Sequence, residues 1–324
     1  MAARWRVLIT DRAWPDTSIE SGILSRVGAE VVEPAATDEA ALLAAASDVD
    51  AIATNWACVT GAVMRASGRC RTVARFGIGV DNIAVSAATA LGIPVTNCPD
   101  YCVGEVSDHA LGLLLACARR IGFFHGRTKR GEYNLAAARP MQRMSGQTLG
   151  LLGLGHIARE LVPKALALGL SVIAHTASGR DYGTGVRMVS FAELLSASDY
   201  VSVHAPLNDS TRWLFDAAAL ARMKPTAYLI NTSRGGLIDE AALWDALQQN
   251  RLAGAALDVF DPEPPDLSRP LFQDERVIVT PHAAFVSEQS VWQLRTQAME
   301  QVVAVLAGQR PNNVLNPQIY FGQP

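Results

Sequence analysis

The chain lacks an excess of charge of either sign. Its 28 Lys+Arg face 31 Asp+Glu, a net charge of −3 over 324 residues. That balance predicts attraction neither to nucleic acid nor to a membrane surface. Long apolar runs are missing too. The longest, Ala110 to Ala118, is about half a bilayer span and ends in Arg119-Arg120, so no transmembrane helix is expected. A secretory signal is not expected either, because Val7-Leu8-Ile9 is the whole apolar stretch before Thr10-Asp11. Cysteine is sparse and odd in number. The five, at 58, 70, 98, 102 and 117, include no paired C-x-x-C spacing. This argues against a disulfide framework or a metal site and for reduced thiols in a cytoplasmic protein.

What is present is ordinary globular material, 49% hydrophobic and 18% charged, long enough for two domains. The stretch that organises it is Leu149 to Ala158. An apolar run leads into Gly153-Leu154-Gly155-His156-Ile157-Ala158 and then a helical pattern through Leu168. This is G-x-G-x-x-A between a strand and a helix. Gly153 permits the tight turn, Gly155 lets backbone approach a pyrophosphate, and Ala158 lets the helix lie close to the strand. The free N–H groups of the helix then face the anion. Pro163 falls inside this helix and is expected to kink it.

Before the fingerprint, strands are predicted at 5–10, 30–32, 50–54, 72–75 and 93–96. Helices are predicted at 18–27, 37–46, 60–67 and 82–91, the last capped by Asp81. Such alternation implies parallel strands with right-handed crossovers. Residues 103–124 read as one long helix, too apolar for a solvent-facing position and suited to a subunit interface. Residues 126–145 read as basic and irregular. Further strands are expected at 171–175, 200–204, 227–231, 253–259 and 277–280, with helices at 191–197, 216–222 and 239–250. A last helix, 287–306, is expected to dock back on the first domain. The fold class is therefore α/β with two doubly wound parallel sheets. A Rossmann dinucleotide-binding domain (99–286) is inserted into a discontinuous flavodoxin-like substrate domain (1–98 plus 287–324), and the two crossings could act as a hinge.

Polar residues recur where the later strands end: His204-Ala205-Pro206, Asn231-Thr232-Ser233-Arg234, Asp258 to Glu263, and Thr280-Pro281-His282. Strand C-termini line the cofactor crevice of such a sheet. Reduction of a keto acid by a nicotinamide needs a cation for the carboxylate and carbonyl, which suits the guanidinium of Arg234. It needs an acid near neutral pH, which suits His282, and a carboxylate to orient that imidazole, which suits Glu263 among the prolines at 262, 264 and 265. Each residue also has an ordinary structural reading, as a surface arginine, a strand exit or a solvated loop charge. Their conjunction behind one fingerprint is what points to chemistry.

At these residues the chain resembles the D-isomer-specific 2-hydroxyacid dehydrogenase family, and more narrowly its phosphoglycerate-dehydrogenase-like branch. The resemblance rests on R-F-G-I-G-V-D-N-I (75–83), D-Y-C-V-G-E-V-S-D-H-A (100–110), G-L-G-H-I-A (153–158), V-S-V-H-A-P-L (201–207), N-T-S-R-G-G-L-I-D-E (231–240), L-D-V-F-D-P-E-P (257–264) and T-P-H (280–282). It implies substrate binding by Arg234, and an acid/base His282 supported by Glu263. It implies a nicotinamide end held by Asp258 and the Asn231–Thr232–Ser233 backbone, and pyrophosphate contacts from His156 and Ile157. The substrate carboxylate would meet the Ile78 and Gly79 amides. A homodimer through the nucleotide-binding domain and closure on binding are implied as well.

Some positions depart from the family pattern. Thr176 stands where NAD-preferring relatives carry an Asp for the ribose hydroxyls, and Arg180 with Thr176 and Ser178 could hold a 2′-phosphate. NAD(H) and NADP(H) both stay open, with a tilt to NADP(H). Asn55-Trp56, taken as substrate contacts, replace an Arg common in phosphoglycerate-specific relatives. Ala283-Ala284 replace a frequent glycine pair. The main reading is an oxidoreductase acting on a small 2-keto or D-2-hydroxy acid. The alternatives are phosphoglycerate dehydrogenase proper and a dinucleotide-sensing, corepressor-like binding protein.

Overall fold

The computed structural model describes residues 4–137 and 141–320. Packing divides the chain into two units: residues up to 101 together with those from 287 onward, and residues 102–286. Unit 1 begins with β1 (Trp5–Ile9), α1 (Ser18–Leu24), β2 (Ala29–Val32), α2 (Glu39–Ala45), β3 (Ala51–Thr54), α3 (Gly61–Arg65), β4 (Val73–Arg75), α4 (Val85–Ala90) and β5 (Val95–Thr96). The strands are parallel in the order β2-β1-β3-β4-β5. Leu8, Ile52, Val73 and Val95 are register partners across four adjacent strands, each with no exposed surface. Leu42 of α2 and Val63 and Met64 of α3 pack into the same cluster. Strands this apolar are what a sheet covered on both faces requires.

The helices start where side chains cap them. Asp38 accepts the Ala41 N–H ahead of α2, and Thr60 accepts the Val63 N–H ahead of α3. α4 begins three residues later than the expected start at Asn82. Asn82 instead spends its side-chain amide on the Ala57 carbonyl at 2.9 Å, and Ile83 bridges to Val59. Asp81 is therefore not its cap.

Unit 2 contains α5 (Val103–Ala118), α6 (Ile121–Lys129), β6 (Thr148–Leu152), α7 (His156–Ala167), β7 (Ser171–His175), β8 (Arg187–Met188), α8 (Phe191–Ala197), β9 (Tyr200–Val203), α9 (Ala217–Leu220), β10 (Tyr228–Asn231), α10 (Glu240–Gln248), β11 (Gly254–Leu257), α11 (Pro270–Gln273) and β12 (Val277–Val279). The seven strands are parallel, in the order β12-β11-β10-β9-β6-β7-β8. The short elements β8 and α11 were not expected from the sequence.

The single helix expected over 103–124 is two. Arg120 adopts a left-handed φ of 49° between α5 and α6, and α6 extends helix into the stretch read as irregular, as far as Lys129. The apolar side of α5 is covered within its own unit. Ala110, Leu113, Leu114 and Cys117 share a cluster with Leu149 and Leu151 of β6 and Ala158, Leu161 and Ala165 of α7. α7 runs on through Pro163, which is exposed.

The chain then returns to unit 1 as α12 (Glu288–Leu306), opened by a capping box between Ser287 and Ser290. α12 packs on α1, where Arg295 grips Glu20 with two bonds of 2.8 and 2.7 Å. Beyond α12, Asn316 bonds the Val95 N–H and the Ile93 carbonyl, both at 2.9 Å, closing the edge at β5.

Candidate active site

Parallel register makes one continuous row across unit 2. His175 pairs with Leu152, Leu152 with Val203, Val203 with Asn231, Asn231 with Leu257, and Leu257 with Val279. The residues just beyond the row leave the sheet along its C-terminal edge. They are Thr176, Gly153 to Gly155, His204 to Pro206, Thr232 to Arg234, Asp258, and Thr280 to His282. From β7 to β12 is five strand steps, about 24 Å at the usual strand spacing. The edge therefore suits a long, extended ligand.

One strand in from β7, at the exit of β6, is the glycine turn. Gly153 has a φ of 91°, and a Cβ there would stand 2.7 Å from the His204 carbonyl oxygen, so only glycine fits. A Cβ on Gly155 would meet nothing within 4 Å. Gly155 stands at the start of α7 and offers it no side-chain cap. Ala158 is fully buried against the sheet. Further along, the Thr232 hydroxyl is buried with no partner. An open glycine step at an uncapped helix start, with an orphaned hydroxyl on the same edge, fits a dinucleotide.

Beyond β7, Thr176 Oγ1 and Ser178 Oγ lie 3.3 Å apart, and Ser178 also holds the Arg180 N–H at 3.4 Å. The guanidinium groups of Arg180 and Arg159 lie 5.4 and 5.3 Å from the Tyr182 ring centre. Together they line an open hollow that also includes Asp181. The sequence reading missed Arg159. It stands one helical turn into α7 from the glycine step, on the side of the β7 loop.

The chemistry-bearing loops at the other end are stitched together. Asn231 accepts the Ser233 N–H at 3.0 Å and donates to the Arg234 carbonyl at 2.8 Å, which shapes the strand exit carrying Arg234. Ser233 donates to the Ala205 carbonyl at 2.6 Å. Gly235 lies so close to the backbone of Phe260 that no Cβ could be accommodated. The Phe260 N–H donates to Glu263 Oε1 at 2.9 Å, and Glu263 Oε2 meets His282 Nδ1 at 2.7 Å. Contact thus runs from the Arg234 loop through Phe260 and Glu263 to the imidazole.

Asp258 is fully buried and underlies the turn. Its carboxylate accepts the Thr280 hydroxyl at 2.5 Å and the Ala283 and Ala284 N–H groups at 2.9 Å, while its carbonyl accepts the His282 N–H at 2.8 Å. These bonds hold His282 at a φ of 52°, a conformation that non-glycine residues rarely adopt and that concentrates at functional sites. With both carboxylate oxygens committed to the protein, Asp258 is first a builder of the turn. At the β9 exit, burial pushes the His204 imidazole down to about 4, and Ser202 Oγ lies 2.8 Å from its Nε2.

Asn55, Trp56, Ile78 and Gly79 belong to unit 1, where they follow β3 and β4. Asn55 is buried and Trp56 is exposed. The Asp11 carboxylate, just after β1, accepts the N–H groups of Asn55, Trp56 and Ala57 at 3.0, 2.7 and 3.2 Å and so shapes this loop. Asn55 Oδ1 accepts from Arg75 Nη1 at 3.2 Å, and Asn97 donates to the Ile78 carbonyl at 2.7 Å. The sequence reading did not single out Asp11. Its position at a strand exit of the same edge is the signal that could have found it.

A parallel sheet with a glycine turn at the exit of β6 and an Arg, a Glu–His pair and a buried Asp at other exits of the same edge defines an α/β dinucleotide-binding protein. The chain belongs to the D-isomer specific 2-hydroxyacid dehydrogenase family: residues 111–284 match the family's NAD-binding domain. It is 36% identical to the D-3-phosphoglycerate dehydrogenase of Methanocaldococcus jannaschii over 316 residues, which is 96% of this chain but 59% of that longer protein. It is 35% identical to the glyoxylate reductase of Korarchaeum cryptofilum over 269 residues, 81% of each chain. Among solved structures, the NADPH-dependent glyoxylate/hydroxypyruvate reductase of Sinorhizobium meliloti, in complex with NADP and malonate, superimposes with a TM-score of 0.84 at 32% identity. That match covers 96% of this chain and 97% of the other.

Proposed function

We propose that the protein interconverts small 2-keto acids and D-2-hydroxy acids, with His282 as the acid/base, Glu263 as its supporting carboxylate and Arg234 as the substrate-binding cation. The observation that carries this reading is the 2.7 Å bond from Glu263 to His282 Nδ1, in a turn whose backbone is built to hold the imidazole in place. A bound reduced nicotinamide supplies the hydride. Arg234 pairs with the substrate carboxylate and polarises the adjoining carbonyl. With Nδ1 directed at Glu263, the proton that reaches the carbonyl oxygen is the one on Nε2, and Glu263 stabilises the ring while it is cationic. In oxidation the same nitrogen takes the hydroxyl proton. Within unit 1, the Ile78 and Gly79 amides are proposed to receive a carboxylate, with Asn55 and Trp56 as substrate-side residues.

Among cofactors, NADP(H) is the better fit. Thr176 offers no carboxylate to repel a 2′-phosphate, and two guanidinium groups, Arg159 and Arg180, flank the loop after β7. The similarity to glyoxylate and hydroxypyruvate reductases supports a small substrate. A homodimer built through unit 2 is also proposed. Ile121, Tyr133 and Leu135 of unit 2 are left 55%, 97% and 90% exposed, apolar surface that a second copy would cover. The test is steady-state kinetics with NADPH and NADH over glyoxylate, hydroxypyruvate and pyruvate, with 3-phosphoglycerate oxidation alongside. Loss of the reduced-nicotinamide absorbance that disappears in His282→Ala supports the proposal. A protein that binds dinucleotide but turns over none of these acids overturns it in favour of a sensor.

A further inference from the structure

The reading of His282 as acid/base does not explain a second histidine beneath it. His109 projects from α5 and places Nε2 3.1 Å from Thr280 Oγ1 and 3.5 Å from Asp258 Oδ1. The order of donors along this row follows from the chemistry. Thr280 has one hydroxyl proton and spends it on Asp258 Oδ1 at 2.5 Å, so its oxygen is left to accept from an N–H on His109 Nε2. Asp258 has no exposed surface, and a fully buried carboxylate is held there only by compensating donors. Its donors are the Thr280 hydroxyl and the amides of Ala283 and Ala284, and His109 Nε2 reaches it through Thr280. Thr280 and Asp258 are the two residues that shape the turn in which His282 sits at a φ of 52°. His109 therefore braces the turn from the helix side, through Thr280 and Asp258 to the backbone N–H of His282.

We infer that His109 is a positioning residue. Through Thr280 and Asp258 it holds His282 in its left-handed conformation with Nδ1 on Glu263, and it makes no demand on substrate or cofactor affinity. The inference rests on the reading of His282 given above, and small displacements of an acid/base group are costly because proton transfer needs hydrogen-bond reach. In steady-state kinetics with the keto acid that turns over best, H109A is expected to lower kcat by about 10-fold. The KM values for acid and cofactor are expected to stay within about twofold. H109Q, whose side-chain amide reaches the Nε2 position, is expected to recover most of the rate. If His109 acts only through Thr280, the H109A/T280V double variant is no slower than T280V.

A folded H109A with unchanged kcat overturns the inference. So does a loss that appears in cofactor affinity instead, which would place His109 against the ligand, and so do effects of the two substitutions that multiply. Should H109A fail to fold, T280V compared with T280S carries the same test. If the wild-type protein turns over no keto acid, the functional reading fails separately. The crystal structure of H109A then decides: His282 still at positive φ and bonded to Glu263 overturns the inference, and a relaxed turn with that bond broken supports it.

Discussion

Glu263 divides its two oxygens between backbone and imidazole: Oε1 accepts the Phe260 N–H at 2.9 Å while Oε2 meets His282 Nδ1 at 2.7 Å. One carboxylate therefore fixes its own loop and the histidine together. Removing the imidazole in His282→Ala should cost about 10²–10⁴-fold in kcat, the usual range for a general acid. Glu263→Gln keeps an oxygen for Phe260 but loses the charge facing Nδ1, and should cost less, about 10–100-fold. Glu263→Ala loses both bonds and should fall below Gln. Steady-state kcat for the three variants, each checked for an unchanged thermal midpoint, tests this order. Gln slower than Ala would contradict it.

Arg234 leaves β10 on a loop pinned by Asn231 to its own carbonyl. A charge-assisted bond to a carboxylate is worth about 2 kcal/mol, so Arg234→Ala should lower kcat/KM for the keto acid about 30-fold, chiefly through KM. Arg234→Lys keeps the charge and loses the planar fork, and should recover only part of that. Equal kcat/KM for wild type and R234A would remove Arg234 from the substrate.

Much of this arrangement is legible in the sequence, and the reason is physical. The glycine turn, the strand exits and the Glu–His spacing are local in the chain, and parallel register carries local patterns to one edge. What was not readable depended on contacts between distant segments. α4 starts late because Asn82 bonds Ala57. The helix expected over 103–124 breaks at Arg120, and the break is not legible because this left-handed residue is neither glycine nor proline. β8 is two residues long and exists only by pairing with β7. Asp11 and His109 act across 45 and 171 residues of sequence, on Trp56 and Thr280 respectively, and no periodicity points to such pairs.

The loop after β7 makes the cofactor preference testable. Arg180→Ala and Arg159→Ala remove the two guanidinium groups beside Tyr182. Each should raise the KM for NADPH about 30-fold, the worth of one charge-assisted contact, and change the KM for NADH less than twofold. Thr176→Asp should invert the preference by supplying an acceptor for ribose hydroxyls and repelling phosphate. Equal losses with both cofactors would make the loop a general adenosine contact instead.

His204 links the cofactor edge to pH. Burial lowers its imidazole from the ordinary 6.5 to about 4, so the folded state refuses a proton that the unfolded chain accepts between those values. Stability from this group is complete above pH 6.5 and declines as pH falls toward 4, because protons then favour the unfolded chain. The ring is partly exposed, which reduces the effect, and about 1–2 kcal/mol should be lost between pH 7 and 5 relative to His204→Gln. Urea unfolding of both proteins across that range measures the difference. A gap independent of pH would show that His204 is as easily protonated folded as unfolded.

The pair that fastens the returning helix is the most exacting test of unit 1. Arg295 and Glu20 have side-chain exposures of 8% and 0%, and their bonds are bidentate at 2.8 and 2.7 Å. Arg295→Met strands a carboxylate in the interface of α1 and α12, where no water can replace the lost donor. Breaking a buried pair this way costs about 3–5 kcal/mol. Replacing both partners, in Glu20→Leu with Arg295→Met, removes the stranded charge together with the desolvation it demanded, and should return most of the loss. A double-mutant cycle by denaturant unfolding checks this, provided the transition assigned to unit 1 is resolved. If the double variant is as unstable as the sum of the singles, the two residues are not coupled, and the account of this joint as a buried ion pair is wrong.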